Sequence, residues 1–264
     1  MQIRGARILL TGASSGIGEA LAYELARRGG ELTLVARREA LLESVKRKCA
    51  SPEAHRVLPL DLTDYHGAAS AIAQEAQQYG MFDIVIHNAG ISQRSFAEET
   101  LVTVDETLMA VNYFAPVAIT KALLPEMLAR RSGQIVVVSS VAGKIATPYR
   151  SGYSAAKHAI IGFMDALRAE VHDRGVIVTN LMPGFIATGL SLRALTGDGA
   201  PLNQLDDAQK NGLDPGETAR RMVNAIERGA DEVAIAGWRE RSALWLQRIS
   251  PAILRRVIRK AKVR

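Results

Sequence analysis

The 264-residue chain carries a formal net charge of +6 and is 48% apolar, and a chain of this length can form one large α/β domain. Its single cysteine, Cys49, excludes an intramolecular disulfide, and the sequence offers no Cys/His cluster for a metal site. Residues 239–264 contain nine Lys or Arg and one acidic residue, which leaves residues 1–238 with a net charge of −2. Since the positive charge belongs to the C-terminal tail, the composition argues against a nucleic-acid-binding protein.

Strand and helix patterns alternate along the chain. An apolar run over residues 6–11 predicts a buried strand, which ends at a glycine-rich turn over 12–18 and precedes an amphipathic helix over 19–28. The helix predicted over 102–128 contains Pro116 and Pro125, and we expect interruptions near both. Further strands are predicted over 31–36, 57–61, 82–88, 134–140, 176–181 and 232–236, and further helices over 39–48, 65–79, 153–172 and 217–228.

These strands are short and apolar on both faces, which is typical of a parallel sheet covered by helices on both sides. With right-handed crossovers, the predicted fold class is α/β, a Rossmann-type doubly wound parallel sheet of seven strands. We expect a single catalytic domain over residues 1–238, since no repeat or linker divides it. The N-terminus lacks a secretory signal pattern and no segment reads as a membrane span, so we expect a cytoplasmic protein.

The glycine-rich turn is the first candidate site. In a doubly wound sheet, ligands bind beyond the carboxyl ends of the strands. Gly12, Gly16 and Gly18 lie at such an end, where glycine lets the backbone approach a pyrophosphate that faces a helix N-terminus. The spacing is G-x-x-x-G-x-G, and not the commoner G-x-G-x-x-G. A plain tight turn is the alternative, but the flanking strand and helix favour a dinucleotide site.

The residues at the end of the second predicted strand indicate which dinucleotide the chain binds. A carboxylate at this point binds the ribose 2′-hydroxyl of NAD, whereas this chain has Arg37 and Arg38. A guanidinium can bind a 2′-phosphate through two hydrogen bonds. We therefore expect NADP(H), with Arg37 as the clamp and Arg38 stacking on or flanking the adenine. A solvated arginine pair is the alternative.

Tyr153 and Lys157 form a candidate acid/base pair. They are four residues apart, so on a helix both side chains lie on one face. A phenol has a pKa of about 10, and a nearby ammonium lowers it by favouring the phenolate. Taken alone, this spacing is also that of an ordinary pair on a helix surface.

Other motifs remove that ambiguity. They are the run Thr11-Gly12-Ala13-Ser14-Ser15-Gly16-Ile17-Gly18, Asp61-Leu62, Asn88-Ala89-Gly90, Asn112, Ser140, Tyr153-Ser154-Ala155-Ala156-Lys157 and Pro183-Gly184. With these motifs, residues 5–237 resemble the short-chain dehydrogenase/reductase family. None of the motifs departs from the family pattern.

The resemblance implies an active site and a cofactor site. The family spacing of 13 residues before Tyr153 selects Ser140 over Ser139 as the catalytic serine. The implied tetrad is Asn112, Ser140, Tyr153 and Lys157, in which Asn112 holds a water that links Lys157 to solvent. The implied cofactor contacts are Gly12, Ser14, Ser15, Gly16, Ile17, Gly18, Arg37, Arg38, Asp61, Leu62, Asn88, Ala89, Gly90, Tyr153, Lys157, Pro183, Gly184, Ile186 and Thr188.

The substrate is expected to contact three segments, 91–96, 141–150 and 189–214. The last contains Gly197, Gly199 and Gly212 among apolar and charged residues and reads as a mobile lid. Five of its leucines predict an apolar lining, and they are Leu190, Leu192, Leu195, Leu202 and Leu205. The alternative is an ordinary surface excursion. The catalytic domain and its lid most resemble the subgroup of the family that contains the human dehydrogenase/reductase members 7 and 7B. This resemblance does not name a substrate.

The tail, residues 239–264, reads as a basic amphipathic segment. Ser250-Pro251 predicts a helix start. From there, the apolar side chains share one face and the basic ones another, and apolar side chains upstream add to the apolar surface. This pattern is typical of interfacial membrane binding. Docking on a partner subunit is an equal alternative. The apolar set is Leu244, Trp245, Leu246, Ile249, Ile253, Leu254, Val257, Ile258 and Ala261, and the basic set is Arg255, Arg256, Arg259, Lys260 and Lys262.

The sequence therefore predicts an NADP(H)-dependent oxidoreductase acting on a carbonyl or secondary alcohol, with an apolar small-molecule substrate. The alternatives are a catalytically silent NADP(H) sensor and a peripheral membrane scaffold. The resemblance implies a homodimer or homotetramer. His87 is expected to be packed in the core, and His158 and His172 to face solvent or a partner subunit.

Overall fold

A computed structural model describes residues 1–259, apart from the side chain of Ala208. Seven parallel strands form one sheet in the order β3-β2-β1-β4-β5-β6-β7. The strands are β1 (Arg7–Thr11), β2 (Glu31–Ala36), β3 (Arg56–Pro59), β4 (Ile84–His87), β5 (Gly133–Val138), β6 (Val176–Pro183) and β7 (Glu232–Ile235). The predicted fold class, a Rossmann-type doubly wound sheet, is confirmed.

Ten α-helices are present in residues 1–259. They are α1 (Gly16–Arg27), α2 (Glu39–Lys48), α3 (Tyr65–Tyr79), α4 (Val102–Met109), α5 (Ala115–Ala129), α6 (Ser151–Val171), α7 (Asp207–Lys210), α8 (Pro215–Glu227), α9 (Trp238–Ile249) and α10 (Pro251–Ile258). Helices α1, α2 and α8 cover one face of the sheet, and α3, α5 and α6 cover the other. The continuous apolar runs of the central strands follow from this double covering.

The strand order reverses between β1 and β4, which pair directly with Ile8 opposite Ile84. This reversal opens a crevice at the carboxyl ends of the two strands, because the chain leaves them in opposite directions along the sheet. The glycine turn after β1 and the Asn88-Ala89-Gly90 segment after β4 meet at this point. The fold thus brings together motifs that are about 75 residues apart in the sequence.

The long helical segment over residues 102–129 differs from the expected one. Helix α4 passes into a π turn, Ala110–Phe114, and then into α5. The π turn widens the helix just before Pro116, which accommodates a residue without a backbone N–H. The second expected interruption is wrong, because α5 continues through Pro125. Pro125 is exposed, so water can reach the backbone carbonyl that it leaves without a donor.

The same segment, Val102–Ala129, is the one described helix that is long and apolar enough to cross a membrane by length and composition. Its apolar side chains have another explanation, since Ile119, Leu123 and Met127 are buried against the sheet. The segment therefore gives only weak grounds for a membrane span.

The tail begins where α9 begins, and it continues into α10. Leu254 is buried, whereas Trp245, Ile249 and Ile253 are exposed by 65%, 77% and 51%. The amphipathic face predicted for the tail is thus divided, with one leucine packed inward and most of the other apolar groups facing out. Its residues 260–264, which include Lys260, Ala261 and Lys262, lie outside the described part of the chain. The division of the chain into a catalytic domain and a separate tail stays a prediction.

Candidate active site

A cleft of about 380 Å³ lies at the carboxyl ends of β1, β4 and β5. It is lined by every predicted cofactor residue, and by Ser140 as well as Tyr153 and Lys157. Asn112 is the one predicted catalytic or cofactor-binding residue outside the lining, because it lies behind Gly90. The residues chosen from separate sequence motifs therefore converge on one cavity.

The glycine turn leaves a space that larger residues would close. A Cβ atom added to Gly12 would lie 2.7 Å from the Ala89 Cα atom, and one added to Gly18 would lie 2.1 Å from the Gly12 carbonyl oxygen. Gly12 and Gly16 also have positive φ angles of 69° and 61°, which glycine adopts without strain. The turn thus holds the start of α1 against β4 and leaves its backbone accessible from the cleft, as a dinucleotide pyrophosphate requires.

Asn88 fixes this turn. Its side-chain amide donates to the carbonyl oxygens of Thr11 at 2.9 Å and Gly12 at 3.3 Å. The Thr11 hydroxyl in turn accepts from the backbone N–H groups of Asn88 and Ala89, at 3.1 and 3.0 Å. This network joins the end of β1 to the end of β4, so Asn88 shapes the cleft by holding its floor.

The two arginines after β2 have different surroundings. Arg37 Nη1 lies 3.8 Å from an Asp61 carboxylate oxygen, and both side chains are largely exposed. Arg38 Nη2 donates to the Ser14 hydroxyl at 3.3 Å, across the mouth of the glycine turn. The chain that follows β3 thus brings the Asp61 carboxylate beside Arg37. Arg38 is therefore the arginine turned toward the glycine turn.

Tyr153 lies in the first turn of α6 and is only 7% exposed. Burial raises the pKa of its phenol, while a hydrogen bond with Ser140 and the charges of Arg150 and Arg94 act to lower that pKa. Lys157 Nζ is 5.9 Å from the centre of the Tyr153 ring. The expectation that Lys157 depresses this pKa is wrong for the free protein: desolvation dominates, and the opposing charges belong to two arginines.

Lys157 is 4% exposed and donates from Nζ to the Val138 carbonyl oxygen at 3.0 Å. Burial lowers the pKa of its ammonium to about 8, because the charged form loses hydration. A lysine with a pKa near the working pH can exchange a proton readily. Its amine faces the cleft beside Gly90, where an added Cβ would lie 3.4 Å from Nζ.

Asn112 lies in the π turn and is 1% exposed. Its Nδ2 donates to the carbonyl oxygens of Ile91 and Leu108, at 3.1 and 2.9 Å. No group among residues 1–259 donates to its buried Oδ1 atom, which would lie 2.9 Å from a Cβ on Gly90. The amide oxygen and the Lys157 ammonium thus face the same space, as a shared water would require.

Gln93 was not predicted as a site residue. It is fully buried, and its Oε1 accepts from the backbone N–H groups of Gly152 at 2.9 Å and Tyr153 at 3.3 Å. Its Nε2 donates to Ser95 and Thr100. A side chain from the loop after β4 therefore caps the helix that carries Tyr153. The sequence gives no signal for this contact, since 59 residues separate the partners.

A buried ion cluster was also missed. The Asp206 carboxylate accepts from Arg94 Nε at 2.9 Å and lies 3.4 Å from Arg150 Nη2. All three side chains are at most 9% exposed. Arg150 directly precedes α6 and Asp206 lies in the lid, so the cluster ties the lid to the Tyr153 helix. Only the general expectation that segments 91–96, 141–150 and 189–214 contact the substrate pointed to this region.

The lid, residues 189–214, packs on the loop after β4. The Leu195 N–H donates to the Ser92 carbonyl and the Arg94 N–H donates to the Leu195 carbonyl, both at 2.8 Å. Of the five predicted lining leucines, Leu190 and Leu195 line the cleft. The expectation for the other three is wrong, because the lid's own turns direct them elsewhere; Leu192, for example, is 40% exposed. Arg193 and Gln209 line the cleft instead.

The histidines lie as expected. His87 is buried, its Nε2 lies 3.0 Å from the Thr120 hydroxyl, and burial lowers its pKa to about 3. It is therefore neutral and packed in the core. His158 and His172 are exposed, and neither lines the cleft.

Comparisons with known proteins agree with this geometry. The family model of the short chain dehydrogenase matches residues 6–196. The chain belongs to the short-chain dehydrogenase family.

Relatives extend the match over nearly the whole chain. A dehydrogenase/reductase SDR family protein 7-like from Anopheles gambiae is 44% identical over 95% of this chain and 81% of its own length. The mouse (Mus musculus) dehydrogenase/reductase SDR family member 7B is 38% identical over 97% of this chain and 81% of its own. The resemblance to the member 7 and 7B subgroup is thus confirmed.

A solved short-chain dehydrogenase from Streptomyces avermitilis superposes with a TM-score of 0.82, at 28% identity, and covers 99% of this chain and 100% of its own. Structural neighbours include proteins solved with NAD and others solved with NADP. The short-chain dehydrogenases are an oxidoreductase family, and this member has the cleft for a nicotinamide dinucleotide.

Proposed function

We propose that this short-chain dehydrogenase is an NADP(H)-dependent carbonyl reductase or secondary-alcohol dehydrogenase that acts on an apolar small molecule. The observation that carries the proposal is the convergence of Ser140, Tyr153 and Lys157 with the glycine turn in one cleft. A sensor without turnover needs the turn but not the buried hydroxyls and amine. Their presence favours catalysis over the catalytically silent alternative.

The proton-transfer chemistry belongs to the protein. The nicotinamide supplies or accepts the hydride. As a carbonyl is reduced, negative charge develops on its oxygen, and the Tyr153 hydroxyl donates its proton to that oxygen. The raised pKa of Tyr153 keeps the phenol protonated at neutral pH. Ser140 donates a hydrogen bond to the same oxygen and stabilises its charge.

Lys157 and Asn112 complete the proposed tetrad. The Lys157 ammonium would hold the ribose hydroxyls of the dinucleotide, and it would replace the proton that Tyr153 gives up. Its pKa of about 8 permits that exchange near neutral pH. Asn112 Oδ1 accepts a hydrogen bond from a water that reprotonates Lys157. The buried and otherwise unused amide oxygen supports this role.

Preference for NADP(H) rests on the cations after β2. Arg38 and Arg37 stand where a 2′-phosphate would lie, and Arg38 already reaches Ser14. Since Asp61 offsets part of the charge of Arg37, we assign the larger share of phosphate binding to Arg38. The apolar substrate is supported by Ile91, Val111, Leu190 and Leu195, which line the cleft.

The test is a panel of ketones and aldehydes, including long-chain acyl ketones, with NADPH or NADH oxidation followed by absorbance. We expect turnover of apolar carbonyls with NADPH preferred over NADH. Equal turnover with both cofactors would reject the NADP(H) preference. Tight NADPH binding without turnover of any panel member would favour the catalytically silent alternative.

A peripheral membrane contact is a second proposal, and the tail favours it. Helices α9 and α10 expose Trp238, Trp245, Ile249, Ile253 and Val257 by 51–77%. Basic side chains lie among them, so the surface combines apolar anchors with charge complementary to anionic lipid. Co-sedimentation with phosphatidylserine vesicles tests it, with phosphatidylcholine vesicles as the control. Salt-sensitive binding to the anionic vesicles alone is expected, and no binding would reject it.

A homodimer or homotetramer is proposed from the family, whose members often form oligomers. The cytoplasm is the proposed location, and the peripheral contact would tether the protein to a membrane facing it. Sedimentation velocity of the full chain measures the oligomeric state, and a monomer at micromolar concentration would contradict the proposal.

A further inference from the structure

Arg193 is a lid residue that reaches the opposite wall of the cleft. It ends the short 3₁₀ turn Ser191–Arg193. Its Nη2 atom donates to the Ser15 hydroxyl at 3.0 Å, across 178 residues of sequence. The side chain lines the cleft together with the glycine turn. A cation from the lid therefore stands at the proposed phosphate end of the site.

Ser15 is the residue before α1, and its side chain does not cap that helix. Its hydroxyl accepts from Arg193 instead. The first backbone N–H groups of α1 have no intrahelical acceptor and face the cleft beside the guanidinium. A helix N-terminus with its partial positive charge and an arginine thus meet at one point, an arrangement that suits an anion.

Two of the positive charges at this end, those of Arg38 and Arg193, lack acidic partners. Among residues 1–259, no carboxylate forms an ion pair with Arg38 or Arg193. Partial burial and the charge of Arg38 both lower the pKa of Arg193. Two like charges that are held near each other repel, and an anion between them would remove that repulsion.

The turn that carries Arg193 is braced from the lid side. The Ser191 N–H donates to Gln209 Oε1 at 2.9 Å, and the Ser191 hydroxyl accepts from the Asp206 N–H at 3.0 Å. Asp206 also holds Arg94 and Arg150. The position of the Arg193 guanidinium is therefore linked to the position of the lid and, through Arg150, to the start of α6.

We propose that Arg193 binds the pyrophosphate of the dinucleotide and so holds the lid closed over the bound cofactor. This inference rests on the proposed dinucleotide-dependent function and adds a binding residue to it. The pyrophosphate is assigned because Arg193 contacts Ser15 at the start of α1. The 2′-phosphate is left to Arg38, which follows β2 and contacts Ser14.

The two phosphate groups can be separated by binding alone, since NADH and NADPH share the pyrophosphate and only NADPH has the 2′-phosphate. Titration of nicotinamide fluorescence gives both dissociation constants for the full chain. R193Q is expected to weaken NADH and NADPH by a similar factor of about ten, the loss of one charge-assisted contact to a phosphate. R193K is expected to retain part of the affinity, because it keeps the charge without the planar fork.

K210Q is the matched control. Lys210 lies in the same lid and pairs with Asp207 at 3.0 Å, away from the cleft. K210Q removes one positive charge from the lid, as R193Q does. Because Lys210 lies away from the cleft, both dissociation constants are expected to stay within about twofold of the wild type. Equal effects of R193Q and K210Q would overturn the proposal, because they would reduce it to the net charge of the lid.

Other outcomes also overturn it. If R193Q leaves both affinities unchanged, Arg193 does not bind the cofactor. If R193Q weakens NADPH alone, the arginine binds the 2′-phosphate and the assignment to the pyrophosphate is wrong. If the wild-type chain binds neither cofactor, the proposed function itself fails, and that result is distinct from the two patterns above.

Lid closure is tested without catalysis by limited proteolysis with thermolysin, which cuts at apolar residues such as those of the lid. ADP is the probe, because it contains a pyrophosphate but no nicotinamide. We expect ADP to slow cleavage within residues 189–214 in the wild type and in K210Q, and not in R193Q at ADP concentrations that saturate each protein. Equal protection of R193Q would overturn the coupling of the lid to the cofactor.

Discussion

At the Tyr153 end of the cleft the ionisable groups are buried, whereas at the Arg38 end they are exposed. Tyr153 and Lys157 are 7% and 4% exposed. Burial raises the pKa of the tyrosine and lowers the pKa of the lysine, and both shifts favour the neutral form of the side chain. Arg37 has a side chain that is 67% exposed. The first end obtains its chemistry by desolvation, and the second obtains its affinity by attraction between charges in water.

The difference has practical consequences. Buried groups titrate at shifted pH and are insensitive to salt, because ions do not reach them. Exposed arginines stay charged at all working pH values, and salt weakens their attraction for phosphate. The rate of reaction at the Tyr153 end, the reaction end, should therefore depend on pH. The binding of cofactor at the Arg38 end, the phosphate end, should depend on ionic strength. The five predictions below test that division, from the largest expected effect to the smallest.

Y153F should produce the largest effect. Loss of the phenolic hydroxyl removes the proposed proton donor, so we expect kcat for carbonyl reduction to fall by about 10³-fold or more. NADPH affinity should change little, because the phosphate end is intact. Steady-state kinetics and fluorescence titration measure the two quantities. Y79F, at an exposed tyrosine outside the cleft, is the control; full activity of Y153F would refute the assignment.

Lys157 predicts a pH dependence with a definite sign. Its ammonium is charged below the pKa of about 8 and neutral above it. If the charged form binds the ribose and supplies the proton, kcat/KM for reduction should decrease as the pH rises through about 8. K157R should have low activity over the whole range, since its guanidinium stays charged and does not release a proton. A flat wild-type profile from pH 6 to pH 10 would contradict the role.

The burial of Lys157 also predicts that its removal stabilises the fold, although it abolishes activity. Its folded-state pKa lies below the unfolded value of 10.5, so the buried charge destabilises the fold below about pH 8. K157M should therefore abolish reduction and yet raise the free energy of unfolding at pH 7 by about 1–3 kcal/mol. The gain should shrink between pH 8 and pH 10.5, where the wild-type lysine is neutral in the fold. Urea denaturation of K157M and the wild type at pH 7 and at pH 10.5 measures this difference in the free energy of unfolding.

Changes at the phosphate end should be smaller and cofactor-specific. R38Q should weaken NADPH binding by about tenfold and leave NADH binding nearly unchanged, because only NADPH carries the 2′-phosphate. R37Q should weaken NADPH by about two- to threefold, since Asp61 already offsets part of its charge. Fluorescence titration at low and high salt measures both. An R37Q effect larger than that of R38Q would reverse the assignment.

Gln93 should give the smallest kinetic effect at the reaction end. Q93L leaves the first backbone donors of α6 without their buried acceptor, so we expect a loss of about 1–3 kcal/mol of stability and a several-fold lower kcat. Q93E restores an acceptor and should recover much of the stability. Because its charge lies beside Tyr153, Q93E should also shift the pH profile upward. Thermal denaturation and pH–rate profiles separate the two contributions.

The sequence predicted the residues of short motifs better than the residues that support them from distant parts of the chain. Gly12, Tyr153 and Lys157 belong to short motifs whose spacing is local, so the fold only had to bring the motifs together. Arg193, Gln93 and the cluster around Asp206 depend on contacts between residues 56 to 178 positions apart. No local pattern indicates such pairs. The expected role of Lys157 toward Tyr153 was wrong because spacing on a helix does not report desolvation.

The lid shows the same limit. Its glycines and leucines predicted a covering segment, but an apolar face cannot be assigned without a regular period. Residues 189–214 contain only short helical turns. Their leucines therefore face different surroundings, which are the cleft, the interior of the lid or solvent. The five central strands, by contrast, could be predicted because their apolar runs are fixed by burial on both faces of the sheet.

The π turn at Ala110–Phe114 has a consequence for engineering this scaffold. A π turn accommodates one residue more than an α-helix of the same rise, and each residue of an α-helix turns the chain by about 100°. Deleting a single residue from this turn would let α4 and α5 merge into one regular helix, with hardly any loss of helical hydrogen bonds. The deletion would also rotate Asn112 away from Gly90, so a shorter and more regular helix would be the less active one.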